Sequence, residues 1–261
     1  VPVRLVDVAE RRVPDHAARL EPPHGPRVHR PLVAPGETLT DVVLDLGDQP
    51  VAGSYHHGVA LPRFPLAVNL CGCCFHSQLS CAVDPLALGR NDVFLGEVDP
   101  NQRLRLRALA EDALASTGAQ RVLDASCGDG ALLEALRTLG CEVVGADRAA
   151  VRRELARAKG FEVLSRPWGT AAAAELQRSG APRVDLIVAT DALVREREPT
   201  LFLIACADAL APGGTIVVDV PYAAEARPRH ELDLPRHELV SYFLVRSFTL
   251  AARRSGLVIS H

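Results

Sequence analysis

From residue 121 onward, short apolar segments alternate with segments of helical length, and this alternation constrains the fold more than any other feature. Apolar runs predict five strands, at RVLD, CEVVGAD, FEVLS, VDLIVAT and TIVVDV. Patterns of roughly 10–15 residues with helical periodicity separate them, which favours parallel strands buried on both faces. The segment PTLFLIACADALAPGG predicts the helix before the fifth strand. We therefore expect an α/β fold in which a further helix over 244–255 leads to a sixth strand in GLVISH.

The part of the chain before residue 101 has no such alternation. Residues 1–40 are rich in Pro, Arg and His and predict an irregular arm with short strands. Between residues 41 and 82, the strand-like pieces DVVLDLG and FPLAVNL precede the cysteine cluster CGCC, which predicts a small β-rich module. A helix is expected over 101–116, with Leu104, Leu106, Leu109 and Leu114 on one face. We predict two domains, 1–100 and 101–261.

The composition excludes several classes of function. The net charge is −3, which favours neither nucleic acid nor an anionic membrane as a partner. No apolar run reaches the roughly 18 residues of a membrane-spanning helix, and no signal-peptide pattern opens the chain. We expect a soluble, cytoplasmic protein whose seven cysteines are reduced.

A glycine-rich turn follows the first strand of the alternating region. Asp124 ends that strand, and Gly128 and Gly130 follow in the segment ASCGDGALL, where a helix begins. Glycines at this place let the backbone approach a ligand at the helix N-terminus. Asp147 ends the next strand, where a carboxylate can accept hydrogen bonds from ribose hydroxyls. The pattern predicts a nucleoside-binding scaffold, and a tight turn without a ligand is the alternative.

This arrangement resembles the class I S-adenosylmethionine (SAM) methyltransferase fold, in which APGGTIVVDVPY matches the fourth helix, turn and fifth strand. The resemblance sharpens to the sugar C-methyltransferases of antibiotic biosynthesis, which have a zinc module before the SAM domain. It is carried by Leu44–Ala52, Pro65–Ser80, Val122–Leu133 and His237–Phe243. The likeness covers nearly the whole chain but lacks the family's C-terminal domain. It implies that Asp124, Gly128, Gly130 and Asp147 contact SAM, if SAM is bound.

Several catalytic positions depart from that family's pattern. The family has a histidine after the fourth strand, whereas DALVR places Asp191 and Arg195 there. The segment RHEL keeps the family's Glu238, but Leu239 stands where the histidine base is expected. C-methylation requires removal of a proton beside a ketone, and leucine cannot accept one. We therefore expect that methyl transfer has been lost and that the protein uses no cofactor.

The zinc module departs from the pattern too. The family binds zinc through two CxxC pairs, of which the second remains as Cys71 and Cys74. The first pair would fall at Val33 and Gly36, which cannot bind a metal. Tetrahedral zinc needs four ligands. The further candidates are His24, His29, His76 and Cys81. We predict no bound metal, with Cys71 and Cys74 as the weak candidates for one.

The altered positions resemble those of the two-subunit, methyltransferase-like enzymes that form aziridine rings in azinomycin biosynthesis, with this chain as the larger subunit. That resemblance implies a SAM-independent displacement in which an amine attacks a neighbouring carbon and expels sulfate. Carboxylates would accept the ammonium proton, and arginines and a histidine would receive the sulfate oxygens. The candidate catalytic residues are Glu238, His237, Asp191, Arg195, Arg236 and Tyr222. Trp168 is expected to stack on an adenine or to fill the core.

Two other functions stay open at this point: a SAM-dependent C-methyltransferase with a rearranged base, and a non-catalytic scaffold subunit of an enzyme complex. The expected substrate is a small amino-acid-derived molecule, sulfated and bound to a carrier protein. The chain offers five strands and the start of a sixth, and an unpaired sheet edge is an aggregation hazard. We therefore expect a partner subunit that resembles the family's C-terminal domain to complete the sheet.

Overall fold

The computed structural model describes residues 6–8, 41–51, 62–83, 99–222 and 235–260. The strands are β1 (Val6–Val8), β2 (Asp41–Pro50), β3 (Arg63–Leu70), β4 (Ser77–Leu79), β5 (Arg121–Asp124), β6 (Glu142–Gly145), β7 (Glu162–Val163), β8 (Val184–Thr190), β9 (Leu210–Asp219), β10 (Ser241–Tyr242) and β11 (Leu257–Ile259). The helices are α1 (Pro100–Thr117), α2 (Ala131–Thr138), α3 (Ala150–Ala158), α4 (Thr170–Arg178), α5 (Pro199–Ala209) and α6 (Val245–Arg254), with a 3₁₀ turn at Leu193–Arg195.

The larger sheet has seven strands in the order β11-β1-β9-β8-β5-β6-β7. Strands β5 to β9 run parallel to one another, which confirms the predicted α/β class. The middle strand β8 is apolar from Leu186 to Ala189, and Leu186, Ile187 and Val188 have no exposed surface. Because helices cover both faces of a parallel sheet, such strands read as continuous apolar runs.

The N-terminal segment contributes a strand to this sheet. Strand β1 pairs antiparallel with both β9 and β11, so that it separates the fifth parallel strand from the C-terminal one. The five predicted parallel strands and the sixth strand in GLVISH are present. The seventh, β1, was not predicted as part of this sheet, because a three-residue strand carries no readable periodicity. The sheet reaches seven strands within this chain, and the partner subunit stays a prediction that this count no longer supports.

The second sheet is antiparallel, in the order β10-β4-β3-β2. Its core strand is β3, whose Leu66, Ala67 and Val68 are buried, whereas most of β2 is exposed. Strand β10 comes from the C-terminal region and pairs with β4. The two predicted domains therefore exchange strands: β1 joins the larger sheet and β10 joins the smaller one.

Two helices differ from their predicted form. On α1 the buried side chains are Leu106, Leu109, Ala110 and Ala113, while Leu104 is 67% exposed, because residues two apart lie on opposite sides of a helix. Helix α5 ends at Ala209, earlier than expected, and β9 begins directly after it. In the described part of the chain no helix is long and apolar enough to cross a membrane.

Candidate active site

The loop between β5 and α2 has a backbone that requires glycine. Gly128 has a φ of 55° and Gly130 a φ of 89°, which L-residues with side chains rarely adopt. A Cβ atom on Gly130 would also lie 2.9 Å from the ring of Phe161. These two constraints fold the loop tightly against the residues after α3, and they open the N-terminus of α2 toward the carboxyl end of the sheet.

Asp147, just after β6, holds this loop from the neighbouring strand. One oxygen of its carboxylate accepts the backbone N–H of Gly128 at 3.0 Å, and the other accepts that of Ala149 at 2.8 Å. The side chain is buried, so water competes little for these hydrogen bonds. Each oxygen keeps a second lone pair, which leaves acceptor capacity for a ligand hydroxyl.

Asp124, at the end of β5, carries a buried acceptor without a partner. It is 1% exposed, and its Oδ1 accepts the N–H of Ser126 at 3.0 Å. Its Oδ2 finds no hydrogen-bond donor among the described residues. Burial, with a smaller contribution from the nearby Asp147, raises the pKa of Asp124 to about 7. A buried oxygen without a partner can accept a hydrogen bond from a donor group of a ligand.

A cavity of about 820 Å³ opens at the carboxyl ends of β5, β6 and β8. Its wall includes Asp124, Ser126, Gly128, Asp147, Arg148, Trp168, Asp191, Arg195, Glu196 and Glu238. Helix α1 closes one side through Gln102, Arg105 and Leu106. Ligand sites of open parallel sheets lie outside the carboxyl ends of the strands, and this volume is ample for a nucleoside with a second small molecule.

Three of the predicted catalytic residues meet on the wall of this cavity. Asp191 follows β8 with a φ of 53°, and its backbone N–H donates to the carbonyl of Asp219 at 2.8 Å. Burial raises the pKa of the Asp191 carboxyl, although the nearby Arg195 guanidinium opposes the shift. Arg195 lies 3.6 Å from a carboxylate oxygen of Glu238. The structure thus brings Asp191, Arg195 and Glu238 to one wall, and their catalytic role stays a prediction.

The other three do not reach the cavity wall that the described residues form. His237 is 1% exposed, and its Nε2 lies 3.2 Å from the carbonyl of Phe64 in the smaller sheet. It therefore cannot receive a leaving group there, which corrects the prediction. Tyr222 is half-buried outside the wall. Arg236 is close enough to Asp191 to lower its pKa, without lining the cavity.

Sequence reasoning missed one pair on the cavity wall. Burial raises the pKa of Glu196, and the Arg148 guanidinium opposes that shift. Arg148 also donates to the carbonyl of Arg195 at 2.8 Å. The sequence signal for this pair was its position, since Arg148 follows β6 and Glu196 follows the 3₁₀ turn. Trp168 is 4% exposed, and its indole N–H donates to the Sγ of Cys206 at 3.1 Å, so that it fills the core and lines the cavity at once.

The cysteine cluster lies apart from this cavity. Cys71 and Cys74 are buried and pack against Leu250 of α6. Burial raises the pKa of the Cys74 thiol to about 11 and lowers that of His76 to about 3. Among the described residues, no three metal-ligating side chains come together. The described residues therefore offer a zinc ion the thiols of Cys71 and Cys74 and no third ligand beside them.

Two family models match the chain. A methyltransferase domain matches residues 98–261, and a zinc binding domain matches residues 35–88. The C-methyltransferase NovU of Streptomyces niveus is 28% identical over 217 residues, which are 81% of this chain and 50% of NovU. The ubiquinone biosynthesis O-methyltransferase of Chelativorans sp. is 35% identical over 98 residues, 38% of this chain and 39% of that protein. The chain thus spans half or less of the length of these relatives.

A solved structure, the complex between the Haloferax volcanii Trm112 methyltransferase activator and the putative methyltransferase, is 22% identical, with a TM-score of 0.48 and coverage of 62% of this chain and 75% of that one.

These findings correct the expectation that the protein has no cofactor. The methyltransferase domain points to SAM, and the glycine loop, Asp147 and the unpartnered oxygen of Asp124 fit such a ligand. The zinc binding domain also runs against the prediction of no zinc, although the described residues offer it only Cys71 and Cys74. Neither family model points to aziridine formation. Because the first model matches more than half of the sequence and the parallel sheet agrees with it, the chain belongs to the methyltransferase family and has the class I fold.

Proposed function

We propose that this protein is a SAM-dependent C-methyltransferase that acts on a ketone-bearing small molecule in natural-product biosynthesis. The observation that carries the proposal is the glycine loop with its two buried carboxylates, which faces a cavity large enough for two ligands. The similarity to NovU, named a C-methyltransferase, supports the choice of carbon as the methyl acceptor, because that alignment covers 81% of this chain.

Each residue of the loop region has a role in holding the cofactor. Asp124 has a buried acceptor oxygen, which suits an ammonium donor. Gly128 and its neighbours expose backbone without side chains at the start of α2, and Asp147 keeps lone pairs for ribose hydroxyls. Bound SAM supplies an electrophilic methyl group. The protein's own task is then to hold the acceptor carbon in line with it and to remove a proton.

Asp191 is the residue that we assign to proton removal. Leu239, at the expected position of the base, is 2% exposed and packs in the core. Asp191 lines the cavity, and its burial moves the pKa of the carboxyl upward, toward the range of an effective base near neutral pH. A left-handed backbone at a non-glycine residue is also typical of functional positions.

The Arg195–Glu238 pair suits the other half of the reaction. When a proton leaves the carbon beside a ketone, negative charge develops on the carbonyl oxygen, and a guanidinium on the cavity wall can donate to it. Glu238 lies 3.6 Å from Arg195 and keeps that guanidinium oriented. The pair is about one-third exposed, so its contribution depends on the substrate excluding water.

Binding of SAM and of its demethylated product to the purified chain tests the first part. We expect heat of binding with micromolar affinity in calorimetry, lost in Asp124→Leu, which replaces both acceptor oxygens by methyl groups while keeping the branching of the side chain. The matched control is Arg107→Ala, on the solvent side of α1. A folded protein without measurable binding would refute the proposal.

Proton exchange tests the second part without a need for methyl transfer. A panel of ketosugars in D₂O is followed by proton NMR with the demethylated cofactor present. We expect the wild type to exchange the hydrogen beside one ketone, and Asp191→Asn to lose exchange while keeping cofactor affinity. Glu238→Gln should retain slow exchange. Equal exchange by wild type and Asp191→Asn would assign the base elsewhere.

A further inference from the structure

Asp129 lies between Gly128 and Gly130, and its carboxylate accepts hydrogen bonds from three donors. Its carboxylate accepts the N–H of Ala131 at 3.1 Å, the Nζ of Lys159 at 2.8 Å and an Nη of Arg103 at 3.2 Å. The side chain is only 8% exposed, whereas Arg103 and Lys159 are 33% and 37% exposed. The carboxylate is therefore enclosed by its donors, and charged hydrogen bonds in such surroundings are the strong ones.

These contacts join three elements around the cofactor loop. Arg103 belongs to the first turn of α1, Lys159 follows the last residue of α3, and Ala131 opens α2. Neighbours of Arg103 on α1, such as Gln102 and Leu106, form one wall of the cavity. The cluster that Asp129 makes with Lys159 and Arg103 therefore links that wall directly to the loop.

Charge balance makes the cluster sensitive to the loss of one member. Burial alone would raise the pKa of Asp129, but the hydrogen bond and charge of Lys159, with the Ala131 N–H and the charge of Arg103, bring it below its usual value. Lys159 is the only lysine in the sequence, which otherwise uses arginine as its cation. Without it, the carboxylate keeps one cation, at the longer of the two distances.

We propose that the Asp129–Lys159–Arg103 cluster is a positioning device for the cofactor site: it fixes the glycine loop against α1 and α3 and so sets the affinity for SAM. Removing the positive charge of Lys159 therefore weakens cofactor binding. None of the three residues needs to touch the reacting atoms. This inference rests on the proposed function.

Calorimetric titration with SAM tests the proposal on the full chain. We expect Lys159→Gln and Asp129→Asn each to raise the Kd for SAM about tenfold, and Lys159→Arg to stay within about twofold of the wild type, because it restores the charge. The double variant Asp129→Asn/Lys159→Gln should be no weaker than Asp129→Asn alone, because both changes remove the same interaction. Arg107→Gln is the control, since its partner Glu111 lies on the same helix.

The outcomes separate this inference from the proposed function. If the wild type binds SAM and both single variants bind it with unchanged Kd, the positioning role is refuted and the methyltransferase proposal stands. Additive losses in the double variant, or a Lys159→Arg variant as weak as Lys159→Gln, would likewise refute the cluster. A folded wild type that does not bind SAM refutes both. Lys159→Gln alters a partly exposed side chain, so the test does not depend on Asp129→Asn folding.

Discussion

The carboxylate of Asp147, after strand β6, accepts the backbone N–H of Gly128, in the loop after strand β5, at 3.0 Å. A residue just after β6 thus holds the loop that follows the neighbouring strand β5. The bond orients the segment between Asp124 and the start of α2, which contains the two loop glycines. It also couples the two acidic positions, because the charge of Asp147 contributes to the raised pKa of Asp124.

We expect Asp147→Asn to weaken SAM binding and to destabilise the fold by about 1–3 kcal/mol. The asparagine has a single acceptor oxygen, so it can satisfy only one of the N–H groups of Gly128 and Ala149. Asp185→Asn is a matched control, because one oxygen of Asp185 accepts both of its backbone N–H donors. Urea unfolding and SAM titration of both variants make the comparison. Equal SAM affinity in the two would contradict a role for Asp147 in the loop.

Gly130→Ala should lower the free energy of unfolding more than Gly118→Ala. Both positions have positive φ, 89° and 64°, and an L-residue there costs about 1–2 kcal/mol. Only at Gly130 would the new Cβ meet another side chain, 2.9 Å from the Phe161 ring, which adds about 1–3 kcal/mol. The Arg137 guanidinium lies over that ring at 4.2 Å and hinders its retreat. Denaturant unfolding of both variants at one pH measures the two losses in the free energy of unfolding. Equal losses would show that the Phe161 ring moves aside.

The raised pKa of Asp124 predicts a pH dependence of stability. Its folded value of about 7 exceeds its ordinary value of 3.8, so between these the folded state holds a proton that the unfolded chain has lost. The contribution of Asp124 to stability therefore falls as pH rises from about 4 to 7. We expect the stability of Asp124→Asn relative to wild type to rise over that window and then to level off.

The stability effect of Asp129→Asn should depend on pH with the opposite sign. The pKa of Asp129 is lowered, so its contribution is present above the ordinary pKa and is lost as pH falls. The destabilisation caused by Asp129→Asn should thus shrink on acidification. Urea unfolding of wild type and both variants from about pH 8 down to about pH 2.5 gives these differences, because the contribution of Asp129 is lost only below its ordinary pKa of 3.8. A flat difference for Asp124→Asn would mean that this carboxyl is solvated in the folded state.

Asp191→Gly should stabilise the protein by about 1 kcal/mol, because glycine adopts a φ of 53° without strain and the change removes a half-buried carboxyl. Asp191→Asn removes only the charge and should stabilise less, since asparagine keeps the left-handed backbone. Thermal unfolding at pH 8 measures both. A loss of stability in Asp191→Gly would show that the charge interaction of this carboxyl with Arg195 outweighs the backbone strain.

Sequence patterning was sufficient for the α/β core and for part of the site. The runs RVLD and VDLIVAT became β5 and β8 with the predicted bounds, because strands buried on both faces have an apolar centre, here Val122–Leu123 and Leu186–Ala189. The glycine loop and Asp147 were readable too, since each stands directly after a strand. Val6–Val8 was not readable as a sheet strand, because its three residues join β9 and β11 only through long-range pairing.

Local patterns were enough to predict the parallel strands, the glycine loop and the acids at or just after the strand ends, because periodicity and turn chemistry are local properties. Which side chains face the cavity follows from tertiary packing. His237 and Glu238 are adjacent in sequence, yet the histidine bonds to Phe64 of the smaller sheet and the glutamate faces Arg195. Their directions depend on the packing of two sheets that exchange strands. No local pattern records such packing, because it depends on contacts between residues far apart in the chain.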